Sequence, residues 1–240
     1  MPNRFVEKLE CFAALSSDDI VLLTRMTATA RKIGARQHLI REGDRPGPVF
    51  VMIDGWACRY KMLPDGSRQI VAFLMPGDSC DMHVAELAEM DHGIQTLTAS
   101  RVAVIGRTDI AELITDHPQI ARALWSTQLV DQGISRAWIV SMGRRNSIAR
   151  VAHLMCELYL RARNIGLVSG NAFEMPLSQV VLADALGLTP VHVNRVLRKL
   201  RLASVMEIQR GALTVLDPVG LAKVAGFDEN YLHRRLRQAA

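Results

Sequence analysis

Apolar and polar positions follow two different rhythms along the chain. Short apolar or alternating runs occupy 49–53, 56–62, 68–75 and 101–107, separated by segments rich in Gly, Pro and Asp. Strands of period two between such turns are typical of a small antiparallel sandwich or barrel. The segment PDGS at 64–67, between two of these runs, predicts a hairpin.

A long helical pattern follows, from about Ile110 to Met142, with Asp109 as a predicted cap and Pro118 restarting the helix. A helix of roughly 24 residues is about 36 Å long, more than a small barrel needs for cover. Long helices with a mixed apolar stripe often pair with a copy of themselves. The predicted dimer face has heptad-like spacing and comprises Leu124, Gln128, Asp131, Ser135, Trp138 and Met142. The alternative is a helix that packs only within its own chain.

After a break at 143–146, with Asn146 as a cap, a helix is predicted from Ser147 to about Arg163. The segment LADALGLTPVHVNRVLRKLR at 182–201 then predicts two helices around a Gly-containing turn. Ser178 precedes the first of them, and a Thr-Pro pair at 189–190 starts the second. This arrangement matches a helix-turn-helix, although a plain helical hairpin in a core has the same local pattern.

The second helix of this pair has an apolar face and a basic polar face. The predicted inward residues are Val193, Val196, Leu197 and Leu200. Arg195 suits a bidentate contact to guanine, and Asn194 suits a base or a phosphate. Arg198, Lys199 and Arg201 lie farther along the helix and suit the DNA backbone. The full set of predicted DNA contacts is Ser178, Gln179, Thr189, Pro190, Val191, His192, Asn194, Arg195, Arg198 and Lys199.

The surroundings of this pair favour DNA over a plain hairpin. Residues 204–217 form two alternating runs around Arg210-Gly211, as in the wing of a winged helix-turn-helix, and 218–232 predict a short closing helix. Residues 141–240 carry 14 Lys or Arg and 7 Asp or Glu, whereas residues 1–140 carry 15 and 17. A positive charge confined to one end indicates a polyanionic partner for that end.

The composition is globular: 240 residues, 49% hydrophobic and 22% charged. No signal peptide or membrane-spanning run is evident, so a soluble, cytoplasmic protein without a membrane partner is expected. Cys11, Cys58, Cys80 and Cys156 lie far apart and are expected to be free thiols, several of them buried. Cys80, placed in a turn, is expected to be the more reactive. No paired acid and base, P-loop or nucleophile motif indicates an enzyme.

Several motifs resemble the Crp/Fnr family of bacterial transcription regulators. They are Gly43-Asp44, Ile53-Asp54-Gly55, Asp65-Gly66, Pro76-Gly77-Asp78 and the segment 182–189. The resemblance implies an α+β fold: an antiparallel jelly-roll sensor barrel (1–116), a long dimerisation helix (117–143) and a C-terminal winged helix-turn-helix (144–240). It also implies a homodimer that binds a roughly palindromic site in double-stranded promoter DNA and contacts RNA polymerase.

The candidate effector pocket departs from the cyclic-AMP receptors of that family. In an ungapped comparison Met82 stands where those receptors have a ribose-binding Glu, and His92-Gly93 replaces their phosphate-binding Arg-Ser pair. The missing guanidinium removes the strongest charge-assisted contact of such a site. Cyclic AMP is therefore not expected as an effector. The candidate pocket residues are Asp81, Met82, His83 and His92.

Other sensor chemistries of the family find little support in the sequence. An iron–sulfur cluster needs several N-terminal cysteines, and only Cys11 lies there. Haem is the open alternative, because His83 follows a Gly-Asp-x-x-x-Met pattern similar to that of the haem members and Pro2 is present as a second ligand. No cofactor and no metal is predicted otherwise.

The recognition helix also departs from the family pattern. Val191 stands where many members have a cytosine-reading Glu, and a Val side chain suits a thymine methyl instead. An operator that differs at this base pair is expected. The alternative function is a small-molecule or haem-binding sensor module whose DNA-binding end is vestigial.

Overall fold

The computed structural model describes residues 3–80 and 88–233. The predicted residues Pro2, Asp81, Met82 and His83 lie outside the described residues. Two helices, α1 (Arg4–Glu10) and α2 (Ser17–Ala28), precede the barrel. A reciprocal capping box between Ser16 and Asp19 starts α2.

Within the described residues, eight strands of the barrel form two four-stranded sheets. The strands are β1 (Ala30–Ile33), β2 (His38–Ile40), β3 (Val49–Asp54), β4 (Ala57–Met62), β5 (Arg68–Leu74), β6 (Ser79–Cys80), β7 (Gly93–Thr96) and β8 (Ser100–Ile105). The sheet orders are β1-β8-β3-β6 and β2-β7-β4-β5. The four strands predicted from alternation (β3, β4, β5 and β8) are confirmed. The other four escaped prediction because runs of two to four residues are too short to show a period.

Apolar side chains from both sheets fill the barrel interior. Met52, Ile94 and Val102 are among the fully buried residues that pack there. Cys58 and Cys80 are also buried, and the expectation that Cys80 lies in a reactive turn is wrong, because β6 pairs it with Phe50 of β3. Cys156 is buried too, and burial raises the pKa of its thiol to about 12. These thiols therefore pack as small apolar groups.

Two helices follow the barrel, α3 (Arg107–Asp116) and α4 (Pro118–Arg144). Gly106, not Asp109, occupies the position before α3, and Asp109 lies in the first turn of that helix. Pro118 begins α4 as predicted, since a proline at the first helical position loses no backbone hydrogen bond. The 27-residue α4 continues past Gly143 to Arg144.

The remaining elements form a small domain in which helices surround a three-stranded sheet. They are α5 (Ser147–Asn164), β9 (Ala172–Glu174), α6 (Gln179–Leu186), α7 (Pro190–Leu202), β10 (Met206–Gln209), β11 (Ala212–Val215), α8 (Pro218–Ala225) and a 3₁₀ helix (Glu229–Leu232). The sheet order is β10-β11-β9, with all neighbours antiparallel. The single closing helix predicted at 218–232 is wrong: α8 stops at Ala225 because Gly226 adopts a left-handed conformation there.

Contact density divides the chain into two compact units. Of the described residues, the first comprises 3–62, 71–80 and 88–132 with His233, and the second comprises 63–70 and 133–232. The division therefore falls inside α4, and the predicted boundaries after 116 and 143 stay a prediction. No single helix in the described ranges is long and apolar enough to cross a membrane, although the bent pair α6 and α7 passes that test by length and composition together.

Candidate nucleic-acid interface

The helix pair α6 and α7 is fixed by side-chain caps at both starts. The Ser178 hydroxyl accepts a hydrogen bond from Val181 N (3.3 Å), and the Thr189 hydroxyl accepts one from His192 N (3.2 Å). Between the helices, Gly187 adopts a left-handed conformation with φ of 60°, which costs a glycine little. The two helix axes meet at 98°, the geometry of a helix-turn-helix.

The second helix separates an apolar face from an exposed polar one. Val193, Val196 and Leu200 are buried as predicted, whereas Leu197 is half-buried. The opposite face is exposed and includes Val191, of which 70% is accessible. The other exposed residues of this face are Asn194, Arg195, Arg198, Lys199 and Arg201. An exposed helix with basic and amide side chains on its outer face has the shape and charge of an element that enters the major groove.

A hairpin beside α7 adds a second exposed basic feature. β10 and β11 are joined at Arg210 and Gly211, which both have positive φ (50° and 80°), as a two-residue hairpin turn requires. Arg210 is exposed at the tip. Between this wing and the helix pair lies a groove of about 360 Å³. It is lined by residues that include Ser178, Gln179, Asn194, Arg198 and Arg201.

The ten predicted DNA contacts thus lie on two adjoining helix segments of one domain, and their contact with DNA stays a prediction. Ser178 and Thr189 have a structural task in the free protein, because their hydroxyls cap helices. Arg201, which is also predicted to contact the DNA backbone, is exposed on the same helix. Arg210 is a further candidate, and the Arg-Gly turn was its signal in the sequence.

The predicted dimer face of α4 packs largely within its own chain. Leu124 is buried. Asp131 pairs with Arg59 of β4 at 3.3 Å. Trp138 Nε1 donates to Glu157 Oε2 at 3.0 Å. Of the six predicted residues, Ser135 is the one that the structure places in the exposed class. Pairing through these six residues stays a prediction.

A second line of heptad-spaced residues on α4 is shifted by one position from the predicted dimer face. It is exposed over its whole length. This line, called the α4 stripe below, comprises Trp125, Leu129, Gln132, Arg136, Ile139 and Gly143. Trp125 and Ile139 are 58% and 72% accessible, which is unusual for large apolar side chains on one helix face. Spacings that alternate between four and three residues are those of a coiled-coil seam.

In the barrel, His92 pairs with its neighbour and Gly93 packs against an aromatic ring. His92 Nδ1 lies 2.6 Å from Asp91 Oδ1, and the hydrogen bond from His92 lowers the pKa of Asp91. A Cβ on Gly93 would come within 2.5 Å of Tyr60 Cζ. The Tyr60 hydroxyl is itself 2.9 Å from His38 Nδ1. Serine therefore does not fit at position 93 unless the Tyr60 ring moves.

A buried polar network crosses the interior of the C-terminal unit. Glu157 of α5 is fully buried, and burial raises the pKa of its carboxyl. Its oxygens accept hydrogen bonds from Trp138 Nε1 and the Tyr231 hydroxyl and lie 3.5 Å from Arg161 Nη1. One turn earlier on α5, His153 packs against the rings of Phe227 and Tyr231. No cluster of three or more His, Cys, Asp or Glu side chains within residues 3–80 and 88–233 could hold a metal ion.

Two family models match the chain in agreement with this geometry. Residues 30–117 match the cyclic nucleotide-binding domain, and residues 149–224 match the Crp-like helix-turn-helix domain. Together they cover more than half of the chain and coincide with the barrel and the winged domain. An N-terminal barrel of this type and a C-terminal winged helix-turn-helix define a class of transcription regulators.

Relatives and solved structures give the same result. The nitrogen fixation regulation protein FixK of Bradyrhizobium diazoefficiens is 27% identical over 89% of this chain and 90% of its own length. The transcriptional activator protein FnrL of Cereibacter sphaeroides is 26% identical over 83% and 82%. The structure of FixK2 from Bradyrhizobium japonicum superposes with a TM-score of 0.75 at 22% identity, over 83% of this chain and 98% of that one. The chain belongs to the Crp/Fnr family of transcription regulators. It is a DNA-binding regulator and not an enzyme.

Proposed function

We propose that the protein is a homodimeric transcription activator that binds a roughly palindromic promoter site and contacts RNA polymerase in the cytoplasm. The exposed face of α7 carries the proposal, because it presents Arg195 and Asn194 on a capped helix whose opposite face is buried. The relatives FnrL and FixK are described as an activator and a regulation protein, which supports the same role.

The α4 stripe supports the proposal of a dimer. Isolated exposed leucines or isoleucines are common, but α4 exposes four large apolar residues: Trp125, Leu129 and Ile139 of the stripe, and Val140 beside Ile139. A second copy with the same stripe covers it in a self-complementary way around a two-fold axis. Two-fold symmetry then places two copies of α7 in successive major grooves.

Within each half-site, different residues supply specificity and affinity. Arg195 has the donors for a bidentate contact to guanine, and Val191 has methyl groups for thymine. Arg198, Lys199, Arg201 and Arg210 carry charges that suit phosphates, which position the protein without selecting a base. We expect an operator that differs from the family half-site at the base pair that Val191 faces.

The experiment is selection of duplexes from random DNA, followed by Kd measurements by fluorescence anisotropy at several salt concentrations. Arg195→Ala should weaken the selected site by about 1–3 kcal/mol and relax selection at one base pair. The matched variant Lys199→Ala should weaken all duplexes alike and lower the salt slope by about one. A protein that selects no sequence would instead support the alternative of a sensor module with vestigial DNA binding.

We further propose that cyclic AMP is not the effector. The described barrel interior is apolar, with Met52, Leu74 and Met90 inside it, and Tyr60 fills the space beside Gly93. A cyclic phosphate needs charge-assisted donors in such a pocket. Titration calorimetry with cyclic AMP should show no heat of binding, whereas a submicromolar Kd would contradict this proposal.

Haem binding depends on Pro2 and His83, which lie outside the described residues. We propose that the protein functions without haem or another cofactor. Protein purified from cells supplied with haem precursors should have no absorption in the Soret region. A Soret band that disappears in His83→Ala would establish the haem alternative instead.

A further inference from the structure

Arg150 of α5 donates hydrogen bonds to carbonyl groups at the ends of two other helices. Its Nη1 donates to Leu186 O (2.8 Å), the last residue of α6. Its Nη2 donates to Met142 O (3.0 Å), in the last turn of α4, and to Arg145 O (3.2 Å), just beyond that helix. Carbonyls at a helix end have no partner within the helix and carry partial negative charge, so a cation that bridges them holds the two ends together.

The same two helix ends are also in direct contact. Gly187, in the turn between α6 and α7, faces the Met142 side chain so closely that a Cβ would lie 2.5 Å from Met142 Cε. Met142, Arg150 and Leu186 line one small pocket with Ala185 and Ser141. The turn of the helix-turn-helix therefore rests on the last turn of α4, with the Arg150 guanidinium beside it.

A second contact holds α5 to α4, one turn before Met142 on α4. Trp138 of α4 donates to the buried carboxyl of Glu157, which also accepts from Tyr231. With Arg150 two turns away on α5, this contact fixes α5 along α4 at two separated points. The Arg150 bridge and the Met142–Gly187 contact in turn hold the end of α6 against the end of α4.

We propose that Arg150 is a positioning residue for DNA binding: it fixes the helix-turn-helix to the end of α4 and thereby sets the half-site spacing that the dimer accepts. The inference rests on the proposed function, in which α4 pairs around the two-fold axis and α7 enters the groove. A change in the angle between α4 and α6 moves the two α7 helices relative to each other without altering any base contact within a half-site.

The guanidinium is the group that suits this task. Its planar fork directs separate N–H donors at acceptors on two helices, whereas a lysine ammonium is a point charge on a flexible stem. Arg150→Lys therefore keeps the charge but loses the bridge. Arg150→Met keeps much of the volume and loses both.

The test uses the full-length protein and the operator selected by the wild type, together with duplexes that have one base pair inserted or removed between the half-sites. The wild type should prefer the native spacing by about tenfold or more, since the two α7 helices must match the helical repeat. In Arg150→Lys and Arg150→Met this preference should fall below about threefold, which is about 0.65 kcal/mol. The base preference within each half-site should remain. Lys223→Met, which removes an exposed charge from α8 of the same unit, should keep the wild-type spacing preference.

A second pair of variants covers the case in which Arg150 variants fail to fold. Gly187→Ala forces a methyl group against Met142, and Met142→Ala removes the obstruction. The double variant should recover spacing preference relative to Gly187→Ala, although both carry the same left-handed alanine. Unchanged spacing preference in a folded Arg150→Lys dimer, or in Gly187→Ala, would overturn the inference. Failure of the wild type to select any operator would instead count against the proposed function itself.

Discussion

The helices α4 and α7 are both amphipathic and both exposed along one face, but the two faces differ in chemistry. The free face of α7 is dominated by Asn194, Arg195 and Arg198, whose donors match phosphates and base edges. The α4 stripe combines Trp125, Leu129 and Ile139 with two polar residues, a composition that suits another apolar helix. The residue composition of an exposed face therefore indicates the class of partner better than its exposure alone does.

The largest effect is expected from charge placed on the α4 stripe. In the double variant Leu129→Glu/Ile139→Glu, pairing would bury two carboxylates per protomer without partners, so the dimer should dissociate. Affinity for the operator should fall by about 100-fold or more, because a monomer engages one half-site. Sedimentation velocity at micromolar protein concentration measures the first effect, and anisotropy measures the second.

Ser135→Glu is the matched control, since Ser135 is exposed on the face that heptad spacing first indicated. This variant should remain dimeric. A monomeric Ser135→Glu protein together with a dimeric Leu129→Glu/Ile139→Glu protein would restore the original face and reject the α4 stripe.

The two helices also show what the sequence could and could not reveal. In α7 the Thr189 cap and Pro190 fix the helix start, and the apolar face is narrow, so Val193, Val196 and Leu200 were correctly placed inside. In α4 apolar residues occupy adjacent positions, such as Leu124 beside Trp125. Periodicity shows that a stripe exists, but the barrel decides which of two neighbouring stripes is covered.

In the barrel, too, contacts between distant segments decide what local periodicity does not show. Alternation predicted β3, β4, β5 and β8, whereas β6 is a two-residue strand whose place depends on its pairing with β3. The burial of Cys80 follows from that pairing and is not visible locally. The polar network around Glu157 was equally hidden, because its members lie on three elements that are distant in sequence.

A buried histidine in the interior of the C-terminal unit predicts that the protein is less stable in acid. Burial, aided by the charge of Arg145, lowers the pKa of His153 from 6.5 to about 4. Below pH 6.5 the unfolded chain binds a proton at His153, whereas the folded protein binds it only near pH 4. The free energy of unfolding therefore falls as the pH drops towards 4. The limiting slope is about 1.4 kcal/mol per pH unit, or on the order of 3 kcal/mol in total.

His153→Phe keeps the aromatic packing against Phe227 and Tyr231 and should flatten this loss. Urea denaturation of both proteins between pH 7 and pH 4.5 measures the difference. The raised pKa of Glu157 acts in the opposite direction, because it stabilises the folded state as the pH falls, but it is present in both proteins and cancels. Parallel pH profiles would show that His153 does not contribute.

On the α7 face, Val191→Glu should exchange specificity with little effect on stability, since 70% of the Val191 side chain is accessible. A carboxylate accepts a hydrogen bond from the cytosine amino group, and it has no apolar contact for a thymine methyl. The preferred base pair at one position of each half-site should change, with about 1–3 kcal/mol of discrimination. Selection from random DNA would detect the change, and an unaltered consensus would mean that Val191 does not face a base.

The smallest effect is expected at the wing, where charge and backbone conformation can be separated. Arg210 has a φ of 50° at the hairpin tip, so Arg210→Gly removes the charge while suiting the left-handed conformation. If the side chain contacts a phosphate, affinity for all duplexes should fall a few-fold and the salt slope should decrease by about 0.9. Arg210→Lys keeps the charge and should retain the slope. Because a phosphate contact carries no sequence information, the selected consensus should be the same in all three proteins, in contrast to Val191→Glu. A changed consensus in Arg210→Gly would mean that the wing contacts base edges and that residues beyond α7 contribute to specificity.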